Sequence, residues 1–463
     1  MKRYALNELY KWKANKDRKP LIMLGARQVG KTWLMQEFAK EAYKKHIYVN
    51  FEDNDKLHEL FENDFNISRI IASLQWFSDT TIDEETLIIF DEIQEAPRGI
   101  TALKYFQEKA PQYHVIAAGS LLGIAMHRNE SFPVGKVDFM HLYPLTFFEF
   151  LDAIGENKMV NLLQSKDWQM ITMFRNKFEE RLRQYYFVGG MPSAVLSFAT
   201  GNDPNKVRTI QKNILEAYER DFSKHAPANE VPRIRMVWHS IPAQLSKENR
   251  KFIYGMIKEG ARAKDFELAI EWLKDAGLIH KVIRCKKPQL PLAAYEDFSA
   301  FKIFMSDIGL MSAMSNIPVQ SMVDGNSLFS DFKGAMTEQY VLQQLKTNQS
   351  LSIYYWSAEN SRGEIDFLVQ QEDRIIPIEV KAEENLKAKS LRAFIERNPC
   401  LHGVRMSMSP YREQDWITNY PLYSVLAEFG QEHTISTPQS RSQTASPPQG
   451  RRERGKKIFK EWH

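Results

Sequence analysis

The chain has 463 residues and a net charge of +4, longer than one hydrophobic core usually supports, so two or three domains are expected. With 43% hydrophobic and 26% charged residues it fits an ordinary globular protein and excludes a disordered or fibrous one, and no apolar run nears the ~18 residues of a membrane span. The charged opening around Lys2 and Arg3 does not read as a leader peptide, and Cys285 and Cys400 lie far apart outside any C-x-x-C spacing. A cytoplasmic, reduced protein that does not enter membranes is expected, with both thiols structural. From Gly430 onward seven Lys/Arg face three Asp/Glu, which accounts for the whole net charge. The body is therefore neutral, and a nucleic-acid footprint must come from a local patch or from the tail.

Residues 21–24 are a short apolar run of strand type. They lead into Gly25, Ala26, Arg27, Gln28, Val29, Gly30, Lys31 and Thr32, which spell G-x-x-x-x-G-K-T. Trp33, Leu34, Phe38 and Ala39 then recur at helical spacing. Glycines at both ends let the backbone curl so that successive N–H groups face phosphate oxygens, with the positive end of the following helix aimed at the same anion. In such a loop Lys31 reaches the β- and γ-phosphates of ATP, and the Thr32 hydroxyl ligates Mg²⁺.

A strand at 46–51, helices around 57–74 and 100–109, and a strand at 114–120 complete a βα alternation, which predicts a parallel sheet with helices on both faces. Within it, Thr86 to Phe90 reads as a strand buried on both faces, ending in Asp91 and Glu92. Asp91 is expected to hold the Mg²⁺ shell and Glu92 to polarise the attacking water. Ser120, at the end of the 114–120 strand, is a candidate γ-phosphate sensor.

Residues 160–315 read as mainly helical. Two helices at 249–259 and 264–276 around Gly260, a strand at 278–284 and a proline-rich turn at 288–291 have the outline of a winged helix. Its second helix carries Asp265, Glu267, Glu271 and Asp275 against Lys264 and Lys274, a face that repels phosphate. The basic residues Lys281, Arg284, Lys286 and Lys287 sit in the wing. Packing on the ATPase or on a protein partner is therefore preferred over reading of DNA in the major groove.

Further on, a helix at 333–346 carries Glu338, and three strand-like runs at 351–356, 363–369 and 374–381 carry Asp366, Glu379 and Lys381. The order Glu, Asp, Glu-x-Lys is the active-site pattern of restriction-endonuclease-like nucleases. Strand alternation puts Glu379 and Lys381 on one face. Two carboxylates at a sheet edge suit Mg²⁺, a hard cation, with Glu338 a further ligand and Lys381 orienting a water. Residues 430–463, rich in Ser, Thr, Gln, Pro and Arg, read as a disordered basic tail.

The stretches Gly25 to Thr32, Phe90 to Gln94, Ala118 to Leu122, Leu142 to Phe150 and Tyr185 to Pro192 together resemble a widespread family of bacterial and archaeal AAA-type ATP-binding proteins. Members of that family carry a C-terminal domain of unknown function with a restriction-endonuclease-like core, and the resemblance runs over roughly residues 1–428. It implies an AAA-type ATPase domain over 1–155, a helical and winged-helix region over 156–318 and a nuclease-like α/β domain over 319–429. Family members often show Gly-Arg where this chain has Gly135-Lys136. If that arginine is a finger, lysine keeps its charge but loses its planar fork. The leading expectation is an ATP-hydrolysing protein coupled to a Mg²⁺-dependent nuclease-like domain, able to form homo-oligomers. The alternative is a non-catalytic, nucleotide-dependent switch that binds DNA, other nucleic acid or a protein.

Overall fold

A computed structural model describes residues 1–430 apart from 54, 121, 126–132, 248–249, 320–329, 359–362 and 385–387. The tail expected to be disordered lies outside the described residues. The first sheet contains β1 (Leu21–Leu24), β2 (Lys45–Asn50), β3 (Thr86–Asp91), β4 (His114–Ala118) and β5 (Asp138–His141). Its five strands run parallel in the order β2-β3-β4-β1-β5. Every residue of β3 and β4 is buried, because helices cover both faces. Alternation sends Leu87, Ile89 and Ile116 toward Leu34 and Phe38 on one side, and Ile88, Phe90 and Val115 toward Ile70, Leu74 and Phe106 on the other.

The phosphate-loop helix spans Lys31–Ala42, buries Leu34, Phe38 and Ala39 as expected, and leaves Trp33 41% exposed. The single helix expected around 57–74 is instead two helices, Asp55–His58 and Ile67–Ser78, with a 3₁₀ turn after the first. Asn66 caps the second of them by accepting a hydrogen bond from the Arg69 N–H, so a new helix starts there.

A larger correction falls at 249–259. Among the described residues of that span, 250–259, the only regular element is a 3₁₀ turn at Tyr254–Met256. Phe252 donates its N–H to the Phe301 carbonyl at 2.9 Å, and the Gln244 side chain pairs with both backbone groups of Ile253 at 2.9 and 3.0 Å. These bonds hold the segment extended. The helix that precedes Ala263–Asp275 is Val231–Leu245, and the two pack against each other.

The second sheet holds β6 (Ile279–Cys285), β7 (Glu296–Met305), β8 (Leu351–Ser357), β9 (Glu364–Gln371), β10 (Arg374–Val380), β11 (Gly403–Ser407), β12 (Arg412–Gln414) and β13 (Ile417–Pro421). Its eight strands are mixed, ordered β12-β13-β11-β10-β9-β8-β6-β7. β6 and β7 form an antiparallel hairpin that joins β8 through a parallel bridge between Arg284 and Tyr355. The sheet therefore draws strands from both sides of residue 318. Overall the chain is α/β, a parallel sheet of the P-loop nucleotide-binding type followed by a mixed sheet.

The helix Ser330–Lys346 connects these layers through buried glutamines. Gln339 pairs with both backbone groups of Met305, Gln343 accepts from the Ile308 N–H at 2.8 Å, and Gln344 accepts from the Phe147 N–H at 2.8 Å. Each amide satisfies backbone that would otherwise be buried without a partner.

Candidate nucleotide site and C-terminal carboxylate cluster

The loop after β1 has the curled backbone its glycines allow. Gly25 and Gly30 take φ of 144° and 93°, where a side chain would be strained. Gln28 joins them at φ 68°. The Lys31 ammonium folds back to donate to the carbonyls of Gly25 at 2.7 Å and Ala26 at 2.9 Å. Burial lowers its pKa to about 8, against the pull of Glu92 and Asp91.

Thr32 donates its hydroxyl to Asp91 at 2.6 Å, and Tyr48 donates to the same carboxylate oxygen at 2.9 Å. β4 lies between β1 and β3, so one site receives the carboxyl ends of three neighbouring strands. Burial raises the pKa of Asp91, and the two hydroxyl bonds work against that rise. Next to it, Glu92 adopts a left-handed backbone conformation, φ 49°. It accepts from the Ser120 N–H at 2.9 Å, the Ser120 hydroxyl and the Gln94 amide at 2.6 Å. Burial pushes its pKa up, but these bonds and the Lys31 charge outweigh it and hold the carboxyl below its ordinary value. Ser120 thus touches Glu92 directly.

Residues far from the motif clamp the loop. Arg3 donates to the carbonyls of Val29 at 3.0 Å and Tyr143 at 2.7 Å, and pairs with buried Glu149 at 3.1 Å. Arg27 pairs with Asp221 at 2.6 Å, while the Tyr218 hydroxyl donates to the Arg27 carbonyl at 2.8 Å. A Cβ added at Gly277, φ 72°, would sit 3.0 Å from the Ala26 nitrogen, so the turn after helix Ala263–Asp275 packs on the loop itself. Sequence reasoning missed Arg3, Tyr48, Asp221 and Gly277, since only tertiary contact identifies them, and gave no role to Gln94, a local partner of Glu92. Lys136, at the position of the family's Gly-Arg, pairs with Glu108 at 3.2 Å.

ATP and Mg²⁺ fit this constellation. The oxygen pair of Thr32 and Asp91 is the donor chemistry Mg²⁺ prefers, and the Lys31 ammonium, bonded here to two loop carbonyls, belongs to a glycine loop that opens a helix N-terminus, a setting suited to phosphate.

The four residues expected at the C-terminal site are brought near one another, but cations hold Glu338 and Glu379. Glu338 pairs with Arg250 and lies 3.6 Å from Lys302, which also pairs with Glu364. Burial opposes the Lys302 charge, yet Glu338, Glu364 and Asp366 outweigh it and hold its pKa above the usual lysine value. Burial and the charge of Asp366 also push Glu338 above its ordinary value, against the pull of Arg250 and Lys302. Glu379 and Lys381 share a face as expected and pair at 3.1 Å, and Asp366 accepts from the Val380 N–H at 2.8 Å. Among the described residues no group of three or more His, Cys, Asp or Glu is placed to hold a metal ion. In this arrangement Arg250 and Lys302 hold Glu338 and Lys381 holds one oxygen of Glu379, so Mg²⁺ would have only Asp366 and the other Glu379 oxygen as carboxylate ligands. Arg250, Lys302 and Glu364 were missed. Arg250 falls in the segment read as helix, and Lys302 is a lysine with no exposed surface inside an apolar strand.

In the strand read as part of a wing, Lys281 pairs with Glu271 at 3.0 Å and Arg284 donates to Asp297 at 2.8 Å. Two of the four basic residues thus already have acidic partners. No described helix is long and apolar enough to cross a membrane.

Residues 17–151 match the family model of an AAA domain. Residues 179–321 and 333–425 match two domains of unknown function (DUF8612 and DUF4143). No curated protein matches the chain. Among solved structures, the Walker-type ATPase PABY2304 of Pyrococcus abyssi is 14% identical, with 67% of this chain and 94% of that chain covered and a TM-score of 0.43. The Aeropyrum pernix Orc1 protein in complex with DNA is 12% identical, over 68% and 92% of the two chains, TM-score 0.29. The Thermotoga maritima RuvB Holliday junction branch migration motor is 12% identical over 60% and 86%, TM-score 0.29. The loop geometry, the strand order and the match over 17–151 together make the N-terminal module a P-loop ATPase-type domain of the AAA kind.

Proposed function

We propose that the chain binds and hydrolyses ATP and uses its nucleotide state to switch the regions that follow. The observation that carries this reading is the 2.6 Å contact of Thr32 with Asp91, with Lys31 in the loop and Glu92 alongside. Gly25 to Thr32 would cradle the phosphates and Thr32 with Asp91 would hold Mg²⁺. The bound Mg²⁺ would offset charge developing on the transferred phosphoryl group. Glu92 would accept the proton of the attacking water, and Ser120 would report the γ-phosphate. In a steady-state assay, Lys31→Ala should abolish turnover, and Glu92→Gln should leave ATP bound but unhydrolysed. Normal turnover by Lys31→Ala would sink the assignment.

The output we favour is binding to a partner, with ATP hydrolysis in the 1–155 module, a helical and winged-helix region over 156–318 and a binding domain over 319–429. Arg250 and Lys302 favour it, because they compensate Glu338, the further ligand a nuclease would add to Asp366 and Glu379. A protein partner is preferred over DNA because Lys281 and Arg284 are already paired. Neutralising the four wing residues and measuring DNA retention at low salt tests that preference, and a large, salt-sensitive loss would reverse it. Sizing with and without ATP tests homo-oligomer formation, to which Lys136 could contribute a positive charge.

A Mg²⁺-dependent nuclease is the second reading. It is favoured by Glu379 and Lys381 sharing a face beside Asp366. Nicking by the wild type that is lost in both Asp366→Ala and Lys381→Ala would establish it. No cleavage across a panel of nucleic acids would leave the switch.

A further inference from the structure

A cavity of about 630 Å³ lies on the outer side of the nucleotide loop. Backbone of Gly25, together with Gly119 and Ser120, forms one wall, and Lys346, His141 and His280 line it as well. Lys346 ends the helix Ser330–Lys346. Among the described residues no hydrogen bond or ion pair reaches its amine, and burial alone lowers its pKa.

The surroundings of that amine select for an anion. Desolvation by neighbouring side chains, helped by the charge of Lys346, depresses half-buried His280 to about 3 and lowers His141, which keeps an exposed edge. Both imidazoles are therefore neutral near pH 7, each with one N–H to donate. The Tyr143 ring lies between them, 6.2 Å from His141 and 6.1 Å from His280 by ring centroids. Glu271 and Asp275 also line the cavity, with Lys274 and Lys281 both paired to Glu271, so against these two carboxylates the wall carries three ammonium groups with Lys346. Lys346 is half-buried, and an ammonium at a cavity wall with no carboxylate bonded to it attracts an anion.

We propose that this cavity receives inorganic phosphate leaving the nucleotide site, held by the Lys346 ammonium and the N–H groups of His141 and His280. The inference rests on the ATP-hydrolysing reading, in which water attacks the γ-phosphorus, the bond to the ADP oxygen breaks and phosphate is freed beside Ser120. Gly25 and Ser120, which line the cavity, also belong to the nucleotide site, so the cavity adjoins the place where that product forms.

Phosphate binding to the full chain can be read from ³¹P line broadening in four proteins: wild type, Lys31→Ala, Lys346→Met and the double variant. Lys31→Ala removes the loop's own lysine, so the saturable phosphate binding it retains should be weakened tenfold or more by adding Lys346→Met. Lys346→Arg, which keeps the charge, should stay within a fewfold of wild type. Lys346→Met should still bind a fluorescent ATP analogue, and its phosphate release, followed with a phosphate sensor, should change severalfold. Unchanged phosphate binding in the double variant relative to Lys31→Ala would overturn the proposal while leaving the ATPase reading intact. If the wild type binds phosphate through Lys346 but never turns over ATP, the cavity is an anion site unrelated to hydrolysis, and the product-release role is wrong.

Discussion

Three hydrogen bonds converge on the Glu92 carboxylate, two from Ser120 and one from Gln94. They stabilise its charged form and so make it a weaker base than an unbonded glutamate. Ser120→Ala removes the hydroxyl bond and should move the acid limb of the pH–kcat profile upward; an unmoved limb would detach Ser120 from the base. A second titration concerns stability. Burial, with the charges of Arg18 and Lys13, lowers His114 to about 4, and Tyr43 bonds its ring at 2.6 Å. Between that value and about 6.5 the unfolded chain binds more protons, so the stabilising contribution is complete above pH 6.5 and is lost as pH falls through 4. Urea unfolding should show a loss of about 2 kcal/mol from this group between pH 7 and pH 5, and His114→Gln should flatten that part. The motif residues Lys31, Thr32, Asp91, Glu92 and Ser120 were legible because each sits at a fixed offset from a glycine loop or a strand end. Tyr48, Asp221 and Gly277 were not, because only the packed fold brings them to the loop.

The helix Ser330–Lys346 shows what a short apolar pattern conceals at the level of elements. Gln339, Gln343 and Gln344 are polar letters in the sequence, yet they are fully buried because each amide meets a backbone group of another element. Replacing Gln343 by Leu orphans the Ile308 N–H and removes a partner of Asp307. It should cost about 1–3 kcal/mol, read as a lowered melting temperature, with ATP affinity little changed. The opposite misreading occurred at 249–259, where Phe252, Ile253 and Ile257 imitate helical spacing. There the side-chain amide of Gln244 and the Phe301 carbonyl offer the backbone better partners than a helix would.

Across the whole molecule, the second sheet sets how the chain can be divided. β6 and β7 come from the middle region and β8 onward from the C-terminal region, so a cut near residue 318 separates neighbouring strands. A fragment of residues 319–430 would lose Arg250 and Lys302 from beside Glu338 and bare the edge of β8. Breaking a buried ion pair by removing one partner costs about 3–5 kcal/mol. The fragment should therefore lack a cooperative urea transition by circular dichroism, and co-expression with residues 1–318 should restore one. A cooperative transition in the isolated fragment would show that this domain folds without the middle region. Parallel βα alternation was legible along the sequence because it is local. Pairing of β6 with β8 was not, since some seventy intervening positions leave no periodic trace.

The Lys31 amine, by bonding the Gly25 and Ala26 carbonyls, keeps the loop in its curled shape using only the chain's own atoms. A mould already set needs little ordering when its ligand arrives. Calorimetry of ATP binding at several temperatures should accordingly give a small heat-capacity change, set by the apolar area the nucleotide covers and without the larger signature of coupled folding. Association should also be fast, with affinity differences among loop variants appearing mainly in how quickly the nucleotide departs.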